Sequence, residues 1–264
     1  MKFLTTSYHF NLLRDLERLS AFYEAINDFF LLNKHKINIT VLDIGCGSGV
    51  LSYFALNHAE SIIAIEKDVE TFKCAKENLK NFNNIELINS DVLDVDFKTK
   101  ADLVICEMLD TALIDEEEVI ALNYIHDFLN PDFQIIPEGI INYAELVWTN
   151  RDYLHYEDET VKNNYEIISN SLNYSNFDFS KKIDRNFRKV LEFDIIKDSI
   201  LNSIKITTFT KVFKNIISGP TPMMNPEIFI PLPETKVKAG DKIKIHLEYI
   251  MGGGLDSIKT DIIR

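Results

Sequence analysis

Between residues 39 and 135, short apolar runs alternate with amphipathic ones, and no other feature of the sequence restricts the fold so strongly. Ile39–Ile44, Ser61–Glu66, Ile85–Asn89 and Leu103–Cys106 have strand length and are rich in aliphatic residues. Stretches around 49–58, 68–80 and 116–129 carry helical spacing instead. Strand and helix in strict alternation predict a mostly parallel sheet with helices on both faces, since each parallel pair needs a crossover connection. A helix over 9–32 is expected before it. There Leu12, Leu13, Leu16, Leu19, Phe22, Tyr23, Ile26, Phe29 and Phe30 recur at helical spacing between charged positions.

After Asn130-Pro131 the texture changes. Segments 140–149, 189–197, 203–213, 227–232, 242–250 and 257–263 alternate or are rich in Ile, Val, Phe and Thr, with turn signals between them such as Ala239-Gly240-Asp241. The expected organisation is an N-terminal helix plus α/β unit over residues 1–137 and an all-β, barrel-like unit over 138–264. A polar, Asn- and Tyr-rich stretch near 150–186 fits neither pattern and reads as an insertion.

The three cysteines, Cys46, Cys74 and Cys106, are few and far apart, and no Cys/His spacing resembles a zinc site. Reduced thiols and no metal are expected. The N-terminus lacks a signal-peptide core and no apolar run reaches the length of a membrane span, so a soluble, cytoplasmic protein is expected. Formal charge is −13, and residues 101–150 hold eleven acids with neither Lys nor Arg. Phosphate-backbone affinity comes from Lys and Arg displacing counterions, so RNA is the less favoured partner. A basic cluster of Lys181, Lys182, Arg185, Arg188 and Lys189 keeps that reading open. A cationic substrate suits the charge better.

Val41-Leu42-Asp43-Ile44-Gly45-Cys46-Gly47-Ser48-Gly49 runs from a strand into a tight glycine turn. A dinucleotide fingerprint is G-x-G-x-x-G, whereas the spacing here is G-x-G-x-G, with Val50 in the sixth position. Asp43 stands where it would face a phosphate. Both features favour S-adenosyl-L-methionine, which is a sulfonium and has no phosphate. Gly45, Gly47 and Gly49 would let the backbone approach it. Glu66, ending the next strand, can accept both ribose hydroxyls, and Asp91 with Val92 follows the third strand, where an acid can accept from the adenine amino group. With these three elements in order at strand ends, the chain looks like a class I methyltransferase with a Rossmann-like sheet.

The acceptor in such a sheet is expected beyond the fourth strand, where Cys106-Glu107-Met108-Leu109-Asp110-Thr111-Ala112-Leu113-Ile114-Asp115-Glu116-Glu117-Glu118 follows. Cys106 reads as a small core residue rather than a nucleophile. Glu107 and Glu116 stand nine residues apart and could converge on a guanidinium through charge-assisted hydrogen bonds. Glu117 and Glu118 read as first-turn acids of the next helix, facing water.

These residues resemble the protein arginine methyltransferases, whose loop after the fourth strand carries two glutamates at this separation. Some members read E-x-x-D-T-E-L-I-x-E there, close to residues 107–116. His9-Phe10-Asn11-Leu12-Leu13-Arg14-Asp15-Leu16-Glu17-Arg18 is similar to the family's H-x-x-M-L-x-D-x-x-R. The resemblance implies that Arg18 pairs with the methionine carboxylate and that His9 and Asp15 support the site. By helical pattern alone, Arg18 reads as a solvated charge. Catalysis by Glu107 and Glu116, an arginine of a protein or peptide as partner, and a homodimer as one available assembly also follow from it. The chain departs from the family at Met223-Met224-Asn225, where a Thr-His-Trp loop belongs. That departure leaves RNA or a small metabolite as alternative acceptors, and a non-catalytic scaffold as a third reading.

Overall fold

The structure is a computed structural model that describes residues 3–157 and 163–263. Two helices open it, α1 (Ser7–Leu12) and α2 (Leu16–Leu32). The single helix expected over 9–32 is therefore broken at Leu13-Arg14-Asp15, and the break is a cap. The Asp15 carboxylate accepts the Arg18 N–H at 3.1 Å, satisfying a donor that the first turn of α2 would leave orphaned. α2 then buries Ala21, Phe22, Ala25, Ile26, Phe29 and Phe30 along one stripe.

The alternating region follows as β1 (Thr40–Ile44), α3 (Val50–Ala55), β2 (Ser61–Ile65), α4 (Val69–Leu79), β3 (Ile85–Ile88), β4 (Ala101–Cys106), α5 (Glu118–Ile125) and β5 (Leu129–Ile136). The strands form one parallel sheet in the order β3-β2-β1-β4-β5. β1 is buried along its whole length, which is why its apolar residues do not alternate with solvent-facing ones. The chain steps outward from β1 to β3, then returns to lay β4 on the other side of β1. That reversal opens a crevice at the carboxyl ends of the two strands. Ile44 pairs with Cys106, so the glycine turn and Glu107 leave the sheet side by side.

The remaining strands are antiparallel: β6 (Gly139–Thr149), β7 (His155–Tyr156), β8 (Tyr165–Ile167), β9 (Leu172–Asp178), β10 (Asn186–Asp194), β11 (Ser199–Phe213), β12 (Ile216–Ser218), β13 (Ile228–Val237), β14 (Lys242–Ile250) and β15 (Lys259–Ile263). One sheet runs β7-β13-β11-β6-β8, with β9 also on β6 and β12 on β11; a second runs β10-β14-β15. The stretch expected as an insertion over 150–186 supplies, among its described residues, β7, β8 and β9, which pair into the sheet. Their strand period was hidden because only a few positions, Tyr174 among them, are buried between Asn and Ser residues. Leu191, Phe193, Ile245, Leu247 and Tyr249 share one apolar core with Ile140, Ala144, Ile204 and Ile206.

The β-rich part also clamps the crevice. Thr221 donates from Oγ1 to Asp15 at 2.5 Å, and Gly219 donates its N–H to Glu17 at 3.2 Å, fastening the start of α2. The Ala112 N–H donates to Thr208 Oγ1 at 2.9 Å, and the Gly253 and Gly254 amides donate to the Ile114 carbonyl at 3.1 Å. No described helix is long and apolar enough to cross a membrane.

Candidate active site

The crevice is a cavity roofed by α1 and α2 and floored by the ends of β1, β2 and β4. It is lined by His9, Arg18, Gly45, Gly47, Glu66, Asp91, Val92, Glu107 and Glu116, together with Tyr8, Leu12, Leu13, Lys67, Met108, Glu117 and Met223, among others. Five carboxylates face it against two cationic side chains, Arg18 and Lys67.

The glycine turn shows why a side chain is excluded. Gly47 has φ +57°, and a Cβ there would stand 3.0 Å from the His9 ring, which hydrogen bonds through Nδ1 to Thr6 Oγ1 at 2.9 Å. Gly49 lies outside the cavity. It has φ +86°, caps α3, and a Cβ on it would come within 2.5 Å of Leu79 on α4, so its role is helix packing. Asp43 also differs from expectation. Its carboxylate is buried beneath the turn, accepts from Ser52 Oγ at 2.5 Å, and does not line the cavity. Burial raises it to about 7, against the pull of Ser52. Asp15 likewise stands back from the cavity, holding α2 to Thr221.

Glu66 accepts the Gly47 N–H at 3.0 Å and the Asp68 N–H at 2.8 Å, one on each oxygen. A carboxylate has about four lone-pair sites, so each oxygen can take one further donor. Asp91 accepts from the Leu93 N–H at 3.0 Å. Burial pushes the His9 imidazole below its ordinary value against the charge of Glu66, with Arg18 adding to the downward shift.

Arg18 is buried rather than solvated. It falls four residues before Phe22 on the apolar stripe of α2, with its guanidinium over that ring. Nε donates to Glu107 Oε2 at 2.6 Å, Nη2 donates to the same oxygen, and Nη1 reaches the Leu12 carbonyl at 3.4 Å. Desolvation lowers Arg18 to about 10 against the opposing field of Asp15, Tyr8 and Asp43. The first loop glutamate is thus bridged directly to the arginine that the family resemblance assigns to the cofactor.

The loop from Glu107 to Glu118 is held in a strained shape. Ala112 and Leu113 take φ of 59° and 62°, unusual for residues with side chains. Asp110 stabilises it by accepting the amides of Ile114 (3.1 Å), Asp115 (2.9 Å) and Glu116 (3.3 Å). Glu116 returns to the cavity that Glu107 lines while keeping an exposed side, and partial desolvation followed by the charge of Asp115 raises its pKa. Glu117 is exposed and paired with Lys67. Glu118 is fully buried, contrary to its reading as a solvated acid. The helical period held the signal: 118, 122 and 125 share the stripe that α5 turns inward. Met223, Leu12 and Tyr8 line the cavity as well, with no signal in the sequence that marks them.

The five basic residues weighed for RNA are engaged within the protein. Lys181 pairs with Asp178, Lys182 with Asp127 and Arg188 with Glu248, while Arg185 and Lys189 donate to the carbonyls of Met251 and Tyr174.

Residues 41–132 match the family model of a methyltransferase domain. An uncharacterized protein of Methanothermobacter thermautotrophicus is 42% identical over 100% of both chains. Another, of Methanocaldococcus jannaschii, is 39% identical over 97% of this chain and 96% of its own. Protein arginine N-methyltransferase 7 of Drosophila ananassae is 32% identical over 146 residues, which span 52% of this chain and 21% of that protein. Among solved structures, the Trypanosoma brucei PRMT1 enzyme-prozyme heterotetrameric complex with AdoHcy superposes with a TM-score of 0.77 over 98% of both chains, at 16% identity.

Proposed function

Since this chain belongs to one family with the two archaeal proteins, a family of class I methyltransferases akin to the protein arginine methyltransferases, we propose that it methylates a guanidinium nitrogen of arginine in a protein. The methyl donor is S-adenosyl-L-methionine, which when bound supplies a methyl carbon activated by a cationic sulfur. The donor set fits it: Glu66 retains acceptor capacity for the ribose, Asp91 and Val92 line the adenine side, and the glycine turn leaves no Cβ between backbone and ligand.

The observation that carries the acceptor assignment is that Glu107 and Glu116, nine residues apart, line the same cavity beside Arg18. A guanidinium is fully protonated at neutral pH, so it must be steered rather than deprotonated beforehand. Two carboxylates can draw its charge toward two nitrogens and leave the third nitrogen facing the methyl donor. The carboxylate excess of the lining favours a cationic acceptor in the same way. Arg18 matters on both sides. It neutralises Glu107 here, and it is the cation that would hold a ligand carboxylate.

The test is transfer of label from S-adenosyl-L-methionine to proteins of the source cell, followed by hydrolysis to free amino acids. Methylarginine is expected; label recovered in nucleic acid or in small molecules would sink the proposal. The cofactor half has its own check. Glu66→Gln is expected to weaken donor binding about 10- to 100-fold by calorimetry, because a hydrogen bond to a charged group is lost. Unchanged affinity would remove Glu66 from the ribose site.

Met223 favours a second reading. It lines the cavity where the resemblance places a histidine loop, and it offers a thioether but no charge or strong donor. A compact cationic metabolite would need no more than that from this wall. Methylated small molecules in the labelling experiment are its signature.

A further inference from the structure

Glu118 opens α5 with no exposed surface, in a run of glutamates that would ordinarily face water. Its Oε2 accepts the Met108 N–H at 2.8 Å and lies 3.4 Å from the Cys106 thiol, while Oε1 is buried without a partner. A carboxyl in such a place costs stability that an apolar side chain would not. Desolvation, with Glu116 and Asp110 adding to it, raises its pKa to about 8 despite the Met108 amide and the Cys106 thiol. Methionine at this position would lie on the same inward stripe as Leu122 and Ile125 without a buried carboxyl, leaving the Met108 amide as the donor it fails to meet.

What the carboxyl holds explains the expense. The Met108 amide belongs to the peptide unit that leaves Glu107, at the point where β4 ends. At the far end of the loop, Asp110 holds the amide of Glu116 itself. Each loop glutamate is therefore positioned through a backbone amide bound to a buried acid. We infer that Glu118 is a positioning residue for the methyl transfer: by holding the Met108 amide it sets the direction of the Glu107 side chain toward Arg18 and the acceptor. The inference rests on the reading of Glu107 given above.

The test uses the full chain with Glu118→Met, which removes the acceptor, and Glu118→Gln, whose amide oxygen can replace it, run beside Glu107→Gln. Glu118→Met is expected to lower kcat about tenfold at saturating donor, with the donor Kd within about twofold, because only the aim of Glu107 changes. It should nevertheless melt higher than the parent at pH 8.5, with the gap narrowing toward pH 5. The sign follows from a raised carboxyl pKa: as pH rises, the unfolded chain gives up its proton first, so the parent loses stability on the way up to about 8. Glu118→Gln is expected within about twofold of parental turnover, since the hydrogen bond is restored. Three results would overturn the inference: parental kcat in Glu118→Met, a Glu118→Met that melts below the parent or does not fold, or a Glu118→Gln as impaired as Glu118→Met. Normal turnover by Glu107→Gln would instead remove the reading beneath it. An inactive Glu107→Gln beside an unimpaired Glu118→Met would remove Glu118 alone.

Discussion

Glu107→Gln is expected to lower turnover about 10²- to 10³-fold, the cost of removing one preorganised charged group from a site where charge must be steered. Glutamine keeps the shape and an oxygen for Arg18, so the fold should survive. What is lost is the negative charge that holds a guanidinium and biases which of its nitrogens is free. Affinity for S-adenosyl-L-methionine should stay within a few-fold, because Arg18 and Glu66 remain in place. Single-turnover rates with a peptide acceptor, alongside calorimetry with the donor, separate the two effects. Turnover within about threefold of the parent in a folded variant would show that Glu107 does not engage the acceptor.

The largest expected effect on stability lies far from the chemistry. Gly139 begins β6 and pairs across to Asp178 on β9. A Cβ there would stand 2.0 Å from the Phe177 carbonyl oxygen and 3.0 Å from its carbon, both main-chain atoms that cannot rotate away. Gly139→Ala must push β9 off β6, and a cost of about 4 kcal/mol is expected, at the upper end for a single substitution. For a chain of this size that lowers the melting temperature by roughly 10 °C. Gly240→Ala is the control. Nothing lies within 4 Å of a Cβ there and only its φ of +92° is unfavourable, so a loss of about 1 kcal/mol is expected. Equal melting of the two variants would contradict the clash.

Several elements were legible because their signal is local. The parallel strands announce themselves as apolar runs, since both faces of the sheet are covered, and the glycine turn and Glu66 follow from their places at strand ends. The acidic loop was legible by spacing alone, and its two terminal glutamates do face one cavity. Other residues were misread because their neighbours come from distant parts of the chain. Asp43 stands beside the glycine turn in sequence, yet its carboxylate turns down to Ser52. Gly49 was assigned to a ligand, and Leu79, thirty residues on, is what requires it. Glu118 was taken for a solvated acid because charged residues usually are, and Arg18 reads the same way by helical pattern, its cofactor role coming only from the family resemblance. Their helical positions, each four residues before a buried apolar side chain, pointed inward.

The sequence by itself determined the layers, the parallel strands and the glycine turn at the end of the first of them, because hydrophobic periodicity and glycine placement act through neighbours along the chain. Only the tertiary structure decided how the charges are spent. It set Arg18 against Glu107, brought Thr221 to Asp15 and Met223 into the cavity, and closed Glu118 beneath the loop. Each of those contacts joins segments between ten and about two hundred residues apart, and a carboxylate reads the same in sequence whether water, an amide or a guanidinium meets it. Burial makes that choice, by removing the water that would otherwise satisfy every one of them.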